Sequence, residues 1–550
     1  MTYIAPRSAP ASDRAIMASF PWGQMRPRPG EPALKSLCTK LRLAAAACLL
    51  TAGTALAADQ PDLSVSALQN LPATSNPAPG TSGSSDFNLP QIGEAGAAAI
   101  SPQQEYTIGL QVINELREAG AIVDDPQVQE YIQNLGYSLS SHSDNPGLNF
   151  GFYVIDDDDI NATTLPGGFI VMNSGTILFA DNEDELAGVL AHEIGHVTQR
   201  HLARGLEDQR DRSWLDLATM IAGVLAAAKA SDPNVAVGAL ATAQSTIIQH
   251  QINYTRGDES EADRVGIATL ARAGYQPRGM VDFFGKMQRE SSLNGYDRIP
   301  QFLLDHPLDL TRMAEAQNRA EQLHVPKRPD SRTFALMKAR LEAMQQDGTD
   351  KLLEYFQSGV QTAQGWDKVA MRYGLALVDA RLGRYADAIS LMSGLVSEYD
   401  DVTAFRIGLA ESQMQAGKTA LAIDSYDTAL RLFPDSSPLM LSYASDLIDA
   451  GKPRNAVDIL NLLTFGDHRD PEALRLMAKA YEKMGNSADS HYYMSEYYLT
   501  SGLATAAVDQ LRIALATPGI SSVQQERYRA RLHRVEQEAK QAREDQANLP

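Results

Sequence analysis

Four glycines, Gly383, Gly417, Gly451 and Gly485, stand 34 residues apart in the C-terminal half of this 550-residue chain. Gly348 lies 35 residues before the first of them. An alanine follows three of these glycines by five places (Ala388, Ala422, Ala456), and Gly502 with Ala507 repeats the pair half a period on. Pro-bearing loops, "FPDSSP" at 433–438 and "DPEAL" at 470–474, fall between the units. A period of this length with a small residue at a tight turn describes two helices per unit. Such a pair cannot bury its apolar face alone, so the units must stack. Helical hairpins without a true repeat are the alternative. The expectation is an all-α superhelix of about four to five units over 331–515, then a charged helical tail over 516–550.

The 34-residue unit is the tetratricopeptide pattern. It leaves the first 330 residues to be explained. Hydrophobic residues make up 44% of the chain and charged residues 21%, ordinary for a globular protein with room for two or three domains. The net charge of −20 argues against nucleic acid, or an anionic membrane surface, as the main electrostatic partner. Lys35, Lys40 and Arg42 precede an apolar run from Leu43 to Leu56 that ends in Ala55-Leu56-Ala57. This reads as a cleavable secretory signal peptide over 1–57, with Met17 or Met25 as alternative starts and an uncleaved anchor as the weaker reading. Both cysteines, Cys38 and Cys48, fall inside it, so the mature chain has no thiol. Cleavage takes seven basic and two acidic residues, leaving 41 against 66, a net −25. An acidic, cysteine-free exported protein fits a bacterial periplasm. Residues 58–101, rich in Pro, Ser, Gly and Ala, read as a flexible linker.

Helical spacing begins in "QQEYTIGLQVINELREAG" and resumes in "DPQVQEYIQNLGYSL", started by Asp125-Pro126. "LNFGFYVI" and "GGFIVMNSGTILF" read as strands. The stretch from Trp214 to Ile248 reads as a helical pair in the core, or else as a flap near the active site or a surface that touches membrane. It is too interrupted for a convincing membrane span.

In "LAGVLAHEIGHVTQRH", H-E-x-x-H places His192 and His196 on one helix face, with Asp181, Asn182 and Asp184 suited to the helix start. Two imidazoles at this spacing can bind one Zn²⁺, and Glu193, rotated to one side, can act as a base on water. The rival reading, a polar seam in a core, must bury these groups without partners, which is costly. A catalytic zinc wants a third protein ligand and an open position. "GDESEADRVGIATLARAG" puts Glu259 and Asp263 four apart, read as third ligand and as an acceptor that fixes a ligand histidine. Glu261 points elsewhere and reads as solvated, and His201 lies across the helix from His192. "DHPLDLTRM" adds His306, Pro307 and Arg312, or merely a capped helix start. "DDDD" at 156–159 reads as a solvated loop rather than a calcium site.

"AHEIGHVTQRH", "ESEADRVG" and "HPLDLTRM" resemble the three motifs of the HtpX / CAAX-prenyl-protease clan of zinc metallopeptidases, and "NATTLPGGFIVMNSGTI" resembles the strand before the metal helix there. The resemblance covers about 105–320, a zinc metallopeptidase domain expected over 102–325. With the leader and the repeats, the chain resembles the clan's periplasmic branch. This implies an α+β gluzincin domain, mostly helical with a small sheet, followed by the all-α repeat superhelix. It implies one Zn²⁺ on His192, His196 and Glu259, Glu193 as catalytic base, and Asp263 and Arg312 supporting the ligands. His306 either occupies zinc's open position and inhibits, or stabilises the oxyanion. The strand at Gly167, Gly168, Phe169 and Ile170 is expected to pair with an extended substrate. Implied clients are unfolded or misassembled outer-membrane β-barrel proteins. The repeat face would meet the β-barrel assembly machinery, with a chaperone-like role and peripheral membrane contact. The competing class is a non-catalytic periplasmic scaffold with a structural or latent zinc. An integral-membrane prenyl-protein protease fits less well, since no adequate transmembrane helices flank the motif.

Overall fold

The computed structural model describes residues 101–208, 255–294, 300–345, 349–464 and 469–547. The expected signal peptide, nearly all of the linker, the 214–248 stretch and Gly348 lie outside them. No helix among the described residues is long and apolar enough to cross a membrane.

Helix α1 (Pro102–Glu118) opens with a reciprocal cap, Ser101 and Gln104 each bonding the other's backbone N–H. Asp125 starts α2 (Pro126–Ser140) by accepting from the Gln127 and Val128 amides. Strands β1 (Gly151–Ile155), β2 (Ala162–Leu165) and β3 (Phe169–Asn173) form a sheet in the order β1-β3-β2, with β1 parallel and β2 antiparallel to β3. The reversal from β2 to β3 runs through Gly167 and Gly168, both at positive φ. A Cβ on Gly168 would sit 2.0 Å from the Asn149 carbonyl oxygen, so side chains are barred there.

Two expectations are corrected here. "GGFIVMNSGTILF" is not one strand: β3 stops at Asn173 and α3 (Ser174–Phe179) follows. A short apolar run does not distinguish strand from buried helix. More important, β3 is the central strand, hydrogen-bonded on both sides, so Phe169 and Ile170 cannot pair with a substrate. Gly167 and Gly168 serve the turn. Within this sheet, the outer strand beside the motif helix is β2.

That helix is α4 (Glu183–Thr198), capped by Asn182 and loaded at its start with Glu183, Asp184 and Glu185. It is buried from Glu185 to His196. After it come α5 (His201–Asp208), α6 (Arg256–Arg272), α7 (Arg278–Asn294), α8 (Gln301–Asp305) and α9 (Leu310–Gln322). Glycines let α4 approach its neighbours closely. A Cβ on Gly188 would lie 2.6 Å from Met280 Cα on α7, and one on Gly195 would lie 2.9 Å from the Ala262 oxygen on α6. This approach sets one face of α6 against the histidines of α4.

The remaining helices alternate as hairpins: α10 (Arg332–Met344), α11 (Thr349–Thr362), α12 (Gly365–Arg381), α13 (Tyr385–Glu398), α14 (Thr403–Gln415), α15 (Thr419–Leu432), α16 (Ser437–Asp449), α17 (Pro453–Thr464), α18 (Pro471–Lys483), α19 (Ser487–Thr500) and α20 (Ala504–Ala516). The periodic glycines each end a helix at φ between 72° and 75°. At Gly417 the following Lys418 amide bonds back to the Gln413 carbonyl, the six-to-one closure that left-handed C-caps make. Ala388, Ala422 and Ala456 are fully buried where paired helices cross.

The charged tail is a helix, α21 (Ser522–Ala547), and one side of it is docked. Tyr528 is buried and donates to Asp489 at 2.7 Å, and Arg531 bonds Glu496. Several contacts tie the repeats to the first domain, among them Ser331 donating to Glu183 and Lys338 donating to the Ala180 carbonyl. Arg340 of α10 is buried against Asp125, the cap of α2, at 2.7 Å. Asn114 of α1 donates to the Ser501 carbonyl beside Gly502.

Candidate metal centre

His192 and His196 lie one turn apart on α4, and Glu259 and Asp263 one turn apart on α6. All four side chains are buried, as is His306, which follows α8. Ligand atoms of His192, His196, Glu259 and His306 lie within 4.8 Å of one another. His192 Nε2 is 3.1 Å from His196 Nε2 and 3.3 Å from His306 Nδ1. Glu259 Oε1 is 3.4 Å from His196 Nε2 and 2.9 Å from His306 Nδ1.

These separations test whether a metal fits. Four atoms set tetrahedrally at zinc bond lengths of about 2.0–2.2 Å lie about 3.3–3.6 Å from one another. Most of the observed edges fall close to that range. Imidazole nitrogens and a carboxylate oxygen, converging in a buried space, need a cation or a proton between them. The residues therefore fit a zinc ion.

The supports around the cluster are specific. Asp263 Oδ1 stands 3.0 Å from His192 Nδ1. Arg312 of α9 holds Asp263 through Nε and Nη2 at 2.8 and 2.9 Å, reaches Glu259 Oε2 through Nη1 at 2.7 Å, and bonds the Pro307 carbonyl. Glu193 Oε2 accepts from Thr164 Oγ1 at 3.0 Å, and its Oε1 is 3.5 Å from His306 Nε2. Phe302 stacks on the His306 ring at 4.5 Å between centroids.

Charge follows from this packing. Burial pulls the His192 imidazole down, but the carboxylates of Asp263 and Glu259 more than offset it and push it up to about 9. His196 is held well below the usual histidine range by burial and by its histidine neighbours. Burial raises the Glu193 carboxyl against the pull of His306, His192 and Thr164. Burial also opposes ionisation of Glu259 and Asp263, yet the histidines hold both down, with Arg312 adding its effect on Asp263.

The structure thus brings together His192, Glu193, His196, Glu259, Asp263, His306 and Arg312, and leaves the strand at 167–170 to the fold. Sequence reasoning missed Thr164, which sits two residues before the conspicuous "PGG" turn. It also set aside His201 and Glu261. His201 is buried with its Nδ1 2.9 Å from His196 Nδ1, and Glu261 accepts from Arg204 and Arg264.

A buried H-E-x-x-H helix facing a carboxylate-bearing helix, joined to tetratricopeptide hairpins, defines a class: zinc metallopeptidases with a protein-interaction domain. Comparison with known proteins agrees. Residues 126–320 match Peptidase family M48 and residues 413–480 match the Tetratricopeptide repeat. The Beta-barrel assembly-enhancing protease of Escherichia coli strain K12 is 32% identical over 464 residues, 84% of this chain and 93% of that protein. A Putative beta-barrel assembly-enhancing protease from Vibrio cholerae is 36% identical over 316 residues, 57% of this chain and 64% of that one. Human Metalloendopeptidase OMA1, mitochondrial, is 28% identical over 181 residues, covering 32% of this chain and 33% of its own. The chain belongs to Peptidase family M48, carries tetratricopeptide repeats, and is a zinc metalloendopeptidase.

Proposed function

We propose that this enzyme works in the bacterial periplasm, exported by its leader, and cleaves misfolded or stalled outer-membrane β-barrel proteins. Support comes from the name of the relatives it matches over nearly their whole length and from its leader-like N-terminus. The observation that carries a catalytic reading over a bare scaffold is Glu193. It is fully buried beside the histidine cluster, tethered through one oxygen by Thr164, while its other oxygen faces His306 Nε2 at 3.5 Å and makes no hydrogen bond among the described residues. A scaffold has no use for such a carboxylate, whose burial is costly.

His192, His196 and Glu259 hold the zinc in this reading, with Asp263 and Arg312 locking the His192 and Glu259 side chains. Bound zinc supplies Lewis acidity, polarising the scissile carbonyl and making water acidic near neutral pH. Glu193 takes the proton of the attacking water and returns it to the leaving amine. Thr164 keeps the carboxylate aimed. The edge of β2, whose Thr164 touches Glu193, pairs with an extended segment of the client, in place of the central strand. Clients with unpaired β-strands suit such an edge. The tetratricopeptide hairpins hold the client or the β-barrel assembly machinery, which gives the protein its chaperone-like side. A cavity of about 960 Å³ between α2 and the repeats, lined in part by Asp124, Leu441, Arg469 and Tyr497, offers room for a client segment.

His306 within 3.3 Å of both His192 Nε2 and Glu259 Oε1 favours the inhibitory reading: its ring completes the four-atom set and holds the enzyme latent. The test is cleavage of an unfolded outer-membrane β-barrel protein by wild type, Glu193→Gln and His306→Ala, with zinc content measured on each. Glu193→Gln is expected to keep zinc and lose about 10²–10⁴-fold in rate. His306→Ala is expected to cleave faster. Slower cleavage by His306→Ala would transfer that residue to oxyanion stabilisation. Zinc in all three with no cleavage in any would leave a scaffold.

A further inference from the structure

We propose that His201 is a positioning residue of the metal centre, fixing the His196 ring from behind while Glu261 fixes His201. The inference rests on His196 being a zinc ligand. The helix is interrupted just beyond the motif. Helix α4 ends at Thr198, and Arg200 takes φ 54°, alone among the described non-glycine residues in the left-handed region. Such a conformation costs about 1–2 kcal/mol for a residue with a Cβ. Strain of this kind persists where the surroundings enforce it, and it concentrates at functional sites. Here its effect is to end the helical phase and turn α5 so that His201 comes back onto His196. A continuous helix would have carried His201 to the opposite side.

The hydrogen-bond chain then closes in one sense. His196 presents Nε2 to the cluster, so that nitrogen carries the lone pair and Nδ1 carries the hydrogen. That hydrogen is donated to His201 Nδ1 at 2.9 Å. His201 must then carry its own hydrogen on Nε2, which stands 3.2 Å from Glu261 Oε2. Glu261 is itself braced by Arg204 at 3.0 Å and Arg264 at 3.2 Å. Every donor meets an acceptor, and the sequence of tautomers is unique once the role of His196 is set. The two ligands of α4 are thus supported differently. His192 leans on Asp263 directly, while His196 leans on a carboxylate through a second imidazole.

The test uses the full chain, stripped of metal and titrated with zinc against a chelator of known affinity. His201→Phe keeps the ring volume but accepts nothing. His201→Asn places a side-chain oxygen where Nδ1 was. His201→Phe is expected to weaken zinc binding about 10–100-fold and to shift the visible spectrum of the cobalt-substituted protein, with His201→Asn within about threefold of wild type. Zinc binding by His201→Phe equal to wild type would falsify the proposal, and so would His201→Asn as weak as His201→Phe. If metal-free His201→Phe melts early, Glu261→Ala, at a part-exposed position, takes its place. A several-fold loss is then expected, and unchanged affinity overturns the proposal. A wild-type chain that binds no zinc overturns the metal site itself.

Discussion

The peptidase region and the repeat region both depend on glycine, for opposite reasons. In the first, Gly188 and Gly195 are mid-helix, where any Cβ would strike a neighbouring backbone at 2.6–2.9 Å. In the second, Gly383, Gly417, Gly451 and Gly485 end helices in the left-handed region, and a Cβ there would meet nothing within 4 Å among the described residues. One use is spatial and depends on distant partners; the other is conformational and needs only the local chain. Polar groups divide in the same way. The peptidase region gathers four buried histidines, three carboxylates and an arginine in one cluster, whereas the repeats scatter Arg340, Asp379, Asp489 and Glu496 among buried Ala, Leu, Met and Tyr. A site for chemistry concentrates desolvated charge that a stack built for shape disperses into separate pairs.

Substitutions can break or sharpen this contrast. The largest stability effect is expected from Gly188→Ala: the methyl must force α4 from α7, costing about 2–3 kcal/mol despite the better helix propensity. It should also lower zinc affinity, since α4 carries both histidines; a urea midpoint and a zinc titration read the two effects. An unchanged midpoint would mean that the helices separate freely.

Glu411 of α14 probes the seam where the regions meet. Burial, with Asp446 and Asp125 adding to it, pushes its carboxyl up to about 7, against the pull of Arg340. A raised carboxyl binds its proton more tightly folded than unfolded. Its stabilisation is therefore complete below its ordinary value of 4.5 and is lost as pH rises through about 7. Glu411→Gln should be more stable than wild type at pH 8, by on the order of 1–2 kcal/mol, with the gap closing near pH 4.5. A pH-independent difference would remove the buried-carboxyl explanation.

The smallest effect is expected from Gly417→Ala. It costs about 1 kcal/mol through the left-handed backbone alone and leaves zinc binding and cleavage unchanged. If peptidase activity falls with it, the repeats are coupled to the site more tightly than this division allows.

The same contrast explains what the sequence made legible. The repeat turns follow a local rule applied every 34 residues, so their positions stand out without any knowledge of packing. The pairs His192/His196 and Glu259/Asp263 were legible because four residues make about one helical turn. What failed depended on breaks in local rules or on remote partners. His201 was misplaced because Arg200 ended the helical phase. The substrate strand was assigned to β3 because nothing in "GGFIVMN" says that both its edges are filled; that follows from a reversal at Gly167–Gly168. The Arg340–Asp125 pair joins residues 215 positions apart, and no periodicity anticipates it.

The bond from Asn114 to the Ser501 carbonyl spans 387 positions and joins the first described helix to the turn before α20. A polypeptide emerging from a ribosome or a translocation pore presents its N-terminal end first, and its domains generally fold in that order. Helices α1 and α2, with the peptidase core, have all their own residues long before Ser501 is delivered. The clasp must wait until Ser501 has been made. Until then α1 has no seat beside α20, and the catalytic domain waits unfastened for a latch that is delivered 387 positions later.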